Sequence, residues 1–87
     1  MIVIIELVGT LKTLANAEKY SVELEEKTTI SMLVRKLKTE FFADKKFADE
    51  SNLLIILNGK EVSVLNGIQT ELKNEDTVTF IPVAHGG

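Results

Sequence analysis

The sequence predicts an α+β domain in which one main helix packs across one face of a mixed sheet of four to five strands. Three observations carry that expectation. The hydrophobic period changes from 2 to 3.6 and back to 2 along the chain. Only one stretch, Ile30, Leu33, Val34, Leu37 and Phe41, has the i, i+3, i+4, i+7 stripe of an amphipathic helix. The last alternating segment stops at the single proline, Pro82, and the remaining residues run Val83-Ala84-His85-Gly86-Gly87.

Residues 1–8 alternate as a strand, with Met1, Val3, Ile5 and Leu7 on one side and Ile2, Ile4 and Glu6 on the other. The charge of Glu6 marks the second side as the solvent face. Gly9-Thr10-Leu11-Lys12-Thr13 reads as a turn or loop. A second strand follows over residues 19–24, with Tyr20, Val22 and Leu24 inward and Lys19, Ser21 and Glu23 toward water. The two strands suggest a hairpin. Thr29 is placed to cap the helix, because its hydroxyl can accept from an otherwise unpaired amide of the first turn. Arg35, Lys36 and Lys38 give the outer helical face a positive charge that suits the C-terminal half of the dipole.

Residues 43–52 are polar and irregular, with Phe47 expected to pin the connection to the core. Leu53-Leu54-Ile55-Ile56-Leu57 is a strand closed by Asn58-Gly59, a strong hairpin dipeptide. Residues 60–64 should return as a short strand, and Leu65-Asn66-Gly67-Ile68 as a turn. In the final strand, residues 77–81, Val78 and Phe80 should face the core, and Pro82, which cannot donate to a ladder, should end the pairing. The order β-β-α-β-β-β, with first and last strands neighbours at the centre, is that of a β-grasp.

At 87 residues this is one domain, too small to enclose a deep substrate pocket. A formal net charge of −3 argues against direct nucleic-acid binding. The densest acidic group, Glu23-Leu24-Glu25-Glu26, reads as a solvated strand end and turn. No apolar run approaches the roughly 20 residues of a membrane span. The opening residues lack the features of a signal peptide, so a cytoplasmic location is expected. Cysteine is absent and histidine occurs once, which leaves neither thiolate chemistry nor a His-rich metal site.

The domain therefore divides into residues 1–82 and a tail, 83–87. Neither terminal glycine has a Cβ, so the tail can lie extended in a channel too narrow for other residues. Five extended residues reach roughly 17 Å. The alternative is a frayed end.

A β-grasp ending in Gly-Gly resembles the ubiquitin-like sulfur carriers and modifiers: MoaD and ThiS, the ubiquitin-related modifiers and the small archaeal modifiers. Three stretches carry the likeness. Thr29-Ile30 opens the helix, and Leu57-Asn58-Gly59-Lys60 is similar to the V-N-G turn of MoaD-like proteins. The third runs from Leu65 through Thr70-Glu71-Leu72 and the acidic turn Asn74-Glu75-Asp76 to Phe80-Ile81-Pro82, directly before the diglycine. One departure stands out: the second proline of the usual Phe-x-Pro-Pro ending is missing, and His85 precedes the glycines as in ubiquitin-related modifiers.

The resemblance implies a carrier rather than an enzyme, with no cofactor bound. A ubiquitin-activating-type enzyme of the MoeB or ThiF kind would use Mg-ATP to adenylate the Gly87 carboxyl. A sulfur donor would then yield a thiocarboxylate for tRNA thiolation, or a lysine of a target protein would capture the acyl group. Gly86, His85 and Ala84 would thread the partner's channel. The outer sheet face, on which alternation places Ile4, Leu54, Ile56 and Ile81, would dock the activating enzyme. The alternative within the resemblance is the MoaD-type small subunit of molybdopterin synthase, its tail inserted into the large subunit. An interaction module with an inert tail is the third expectation.

Overall fold

The computed structural model describes residues 1–40 and 53–83. Five strands make one sheet: β1 (Ile2–Leu7), β2 (Lys19–Glu23), β3 (Leu53–Leu57), β4 (Lys60–Glu61) and β5 (Thr77–Pro82). Two α-helices, α1 (Thr10–Ala15) and α2 (Ile30–Glu40), and two 3₁₀ turns, Val62–Val64 and Gly67–Gln69, complete the described elements. The strand order is β2-β1-β5-β3-β4. β1 and β5 run parallel at its centre, and the other pairings are antiparallel.

Alternation decides which face is covered. Val3, Ile5 and Leu7 of β1, Val22 of β2, Ile55 and Leu57 of β3 and Val78 and Phe80 of β5 are buried. Against them lie Ile30, Leu33, Val34 and Leu37, the predicted stripe of α2. The Met32 amide donates to Thr29 Oγ1 at 3.2 Å, so the predicted cap is in place. The start of α2 is also tied to the chain before β5. Ile30 N donates to Thr70 O at 3.0 Å and Leu72 N donates to Thr28 O at 2.8 Å.

The mixed sheet with a helix across it is the expected β-grasp. Asn58 and Gly59 both have positive φ, 49° and 86°, as a type I′ hairpin turn requires. Pro82 is the last residue of β5, in register with Leu53. Two local expectations need correction. The expected loop at residues 9–13 is largely helix: α1 buries Leu11, and its C-terminal carbonyls are met by the amides of Asn16, in the left-handed region, and Ala17. The expected strand over residues 60–64 keeps only Lys60–Glu61. Glu61 accepts from both the amide and the hydroxyl of Ser63, which closes a 3₁₀ turn and swings Val62 into the core.

The expected contribution of Phe41 to the stripe and the connection 43–52 with Phe47 lie outside the described residues. So do Ala84, His85, Gly86 and Gly87. Among the described residues, no helix is long and apolar enough to cross a membrane.

Candidate docking face and tail root

The end of β5 is held on both sides. Val8 N donates to Phe80 O at 3.2 Å from the β1 side, and Ile81 is opposite Leu54 on the β3 side. Pro82 lies against Gly9, whose φ is +63°; a Cβ built on Gly9 would stand 3.4 Å from Pro82 Cγ. The chain is thus guided as far as Pro82, and Val83, the last described residue, is exposed.

The outer face of the sheet is partly apolar next to this point. Leu54 opposes Ile81 and Ile56 opposes Thr79, and all three apolar side chains are half-buried. Val8 follows the Leu7–Phe80 pair, which brings it abreast of Ile81, and it is 40% exposed. The sequence reading omitted Val8 from this face, although its even position in the β1 alternation signals it. The fourth residue expected on this face, Ile4, is on the same outer side but apart from the group. It opposes Thr77 on one side and Ser21 on the other. Between it and the Ile81 group stand Glu6 and Thr79, joined by a 3.0 Å hydrogen bond from the threonine hydroxyl to Glu6 Oε1. The sheet therefore brings Ile81, Leu54 and Ile56 together with Val8, and leaves Ile4 with Ile2 toward the start of β1.

Carboxylates flank the apolar group. Glu61 is directly across from Ile56. The Ser63 hydroxyl, and then the Ser63 amide, hold its carboxyl below the usual carboxylate range. Glu6 supplies the opposite rim. Such a face suits a partner with an apolar centre and a basic rim. Among the described residues, no group of three His, Cys, Asp or Glu side chains is placed to hold a metal ion.

A protein-family model for the ThiS family matches residues 5–87, nearly the whole chain. The chain belongs to the ThiS family. Its solved neighbours include the HVO 2177 protein of Haloferax volcanii (TM-score 0.83, 21% identity, covering 100% of this chain and 87% of that one). Urm1 of Trypanosoma brucei gives 0.76 at 24% identity, covering 99% and 95%. A chain of the complex of subunits 1 and 2 of the Helicobacter pylori molybdopterin-converting factor gives 0.65 at 18%, covering 100% of both chains. At these identities the likeness shows the shared fold. No curated protein sequence matches the chain. ThiS-family proteins are β-grasp sulfur carriers and ubiquitin-like modifiers, and small carriers of this kind are generally non-catalytic.

Proposed function

We propose that this ThiS-family chain is a sulfur carrier and protein modifier that reacts through the carboxyl of Gly87 as its terminal residue. The observation that carries the reading is the family match running from residue 5 through the diglycine. Residues 1–82 then act as the recognised domain and 83–87 as the threading tail. Val8, Leu54, Ile56 and Ile81 dock a ubiquitin-activating-type enzyme beside the point where β5 ends.

The chemistry follows from the state of the group. An α-carboxyl with a pKa of about 3.5 is an anion at neutral pH and a poor acyl electrophile. As a nucleophile it attacks the α-phosphorus of Mg-ATP in the activating enzyme and displaces pyrophosphate. The resulting acyl-adenylate has AMP as a good leaving group. A persulfide on a sulfur donor attacks the acyl carbon and expels AMP. Cleavage of the remaining S–S bond by a thiol then frees the thiocarboxylate. A lysine amine attacking the same adenylate instead gives an isopeptide, with loss of AMP and a proton. The acceptor for the carried sulfur is tRNA in this reading.

The test is intact-mass analysis after incubation with Mg-ATP, an activating enzyme of this class and a persulfide donor. The expected product is heavier by the replacement of one oxygen with sulfur, localised to Gly87. An unchanged mass, with the enzyme active on another carrier, sinks the reading. A second reading is favoured by the H. pylori neighbour, which comes from a complex of subunits 1 and 2 of a molybdopterin-converting factor. In it the chain is the small subunit of a molybdopterin synthase, and a large subunit of that type co-purifies with it.

A further inference from the structure

β2 closes one side of the sheet, and among the described strands it pairs with β1 alone. The phase of that pairing is fixed at both ends: Leu7 N donates to Glu18 O at 2.8 Å, and Leu24 N donates to Met1 O at 2.8 Å. In an antiparallel ladder bonded and non-bonded pairs alternate. With the register Val3–Val22 and Ile5–Tyr20, those are the bonded pairs, whereas Ile2–Glu23, Ile4–Ser21 and Glu6–Lys19 are the non-bonded ones. The backbone N–H and C=O groups of Lys19, Ser21 and Glu23 therefore point away from β1, out of the sheet edge. All three residues are exposed.

These three residues read the same when the strand is reversed and the charges are exchanged. An antiparallel copy centred on Ser21 sets Ser21 opposite Ser21, Lys19 opposite Glu23 and Glu23 opposite Lys19. Each is a bonded pair, so outward N–H and C=O groups meet their complements throughout. The charges also match. Within one chain, Lys19 is opposite Glu6, but the β1 neighbour of Glu23 is the apolar Ile2. A second copy supplies the cation that Glu23 lacks across the strand and leaves Lys19 between two carboxylates. The small Ser21 stands on the two-fold axis, where a larger side chain would meet its own image.

We propose that the β2 edge is a homodimer interface, two copies joining through an antiparallel β2–β2 pair centred on Ser21 into one ten-stranded sheet. An axis perpendicular to the sheet keeps both outer faces on the same side. The two Val8–Leu54–Ile56–Ile81 groups stay uncovered, since they lie beyond β1 from the junction, and the two β5 strands end at opposite extremes. The pairing is thus compatible with docking at each copy, and it does not depend on the chemistry proposed for Gly87. An interface of five residues a side is small, and the dimer is accordingly a weak, concentration-dependent one.

The experiment follows backbone amide shifts and sedimentation-equilibrium mass of the full chain from micromolar to millimolar concentration. The mass rises from one chain toward two. The amides of Lys19, Ser21 and Glu23 move with concentration, while those of Tyr20 and Val22, bonded to β1 throughout, move least. Glu23→Lys faces Lys19 with a lysine and weakens self-association about tenfold. Adding Lys19→Glu to that variant restores the pairing with charges exchanged, which a merely misfolded variant cannot do. High salt weakens the wild-type dimer. The chain has no cysteine, so Ser21→Cys is a clean reporter. The roughly 5.5 Å Cα separation of a bonded pair permits a disulfide across the axis, and oxidation should cross-link it faster than Ser63→Cys. A single-chain mass at every concentration overturns the proposal. So does concentration dependence confined to Val8, Leu54, Ile56 and Ile81, or a double variant no better than Glu23→Lys.

Discussion

Asn58 does three things in one position. Its left-handed backbone starts the β3–β4 turn, its Nδ2 donates to Asp76 Oδ1 at 2.8 Å, and its Oδ1 accepts from Thr77 N at 2.8 Å. The turn is thereby tied to the start of β5. Gly59 next to it has φ +86° and nothing within 4 Å of a built Cβ. The cost of Gly59→Ala is therefore conformational rather than steric, about 1–2 kcal/mol. Chemical denaturation should show that loss with an unchanged m-value; a neutral result would mean the turn adopts another geometry. Glu61, two residues on, carries a pH prediction. Its folded carboxyl titrates below its unfolded value because Ser63 donates to the anion. A depressed carboxylate contributes stability that is present above the unfolded pKa and lost as pH falls through the folded one. An NMR titration should place Glu61 below the ordinary range, and Ser63→Ala should return it there. No movement in that variant would remove the hydroxyl as the main cause.

Among the elements, the docking proposal assigns recognition to one face of β3 and stability to the other. Ile56 is half-buried on the outer side, whereas its neighbours Ile55 and Leu57 are buried against the core. Ile56→Glu should leave the domain folded, with a midpoint within a few degrees of wild type, yet lower affinity for an activating enzyme at least tenfold by calorimetry. Leu57→Ala should do the reverse, costing about 2–5 kcal/mol. If Ile56→Glu unfolded the chain, the residue would be core and the docking face would lie elsewhere. The same strands show what was legible in the sequence. Period-2 alternation named the buried residues of β1 and β5 and the outward ones of β3, and one period-3.6 stripe named the buried residues of α2. Short elements were not legible, because single side-chain contacts decide them and periodicity does not report those. A helix of six residues such as α1 is marginal alone; it forms here around Leu11 in the core. β4 is shortened by a side chain, Glu61, that captures the next turn. The outward side of Ile4, Leu54, Ile56 and Ile81 was legible, but alternation gives sides and not neighbours. Register was needed to set Ile4 apart from Ile81 and to add Val8.

At the scale of the molecule, the proposed function puts recognition and reaction in separable parts. Every buried apolar residue among those described lies between Val3 and Phe80, and the Val8–Leu54–Ile56–Ile81 group is complete without the tail. A chain shortened to end at Val83 should therefore melt within about 2 °C of the full protein, since it loses no described core contact. It should gain no sulfur and form no adenylate. It should still occupy the docking surface of an activating enzyme, and so compete with the full chain. The informative experiment adds increasing shortened chain to a fixed amount of full-length protein with Mg-ATP and the enzyme. Adenylation should fall, and excess full-length protein should rescue it. The same shortened chain carrying Ile56→Glu should compete at least tenfold less well. That comparison distinguishes a face that binds from a tail that binds. If the shortened chain did not compete at all, the affinity would reside in residues 84–87, and the apolar group beside β5 would have another partner.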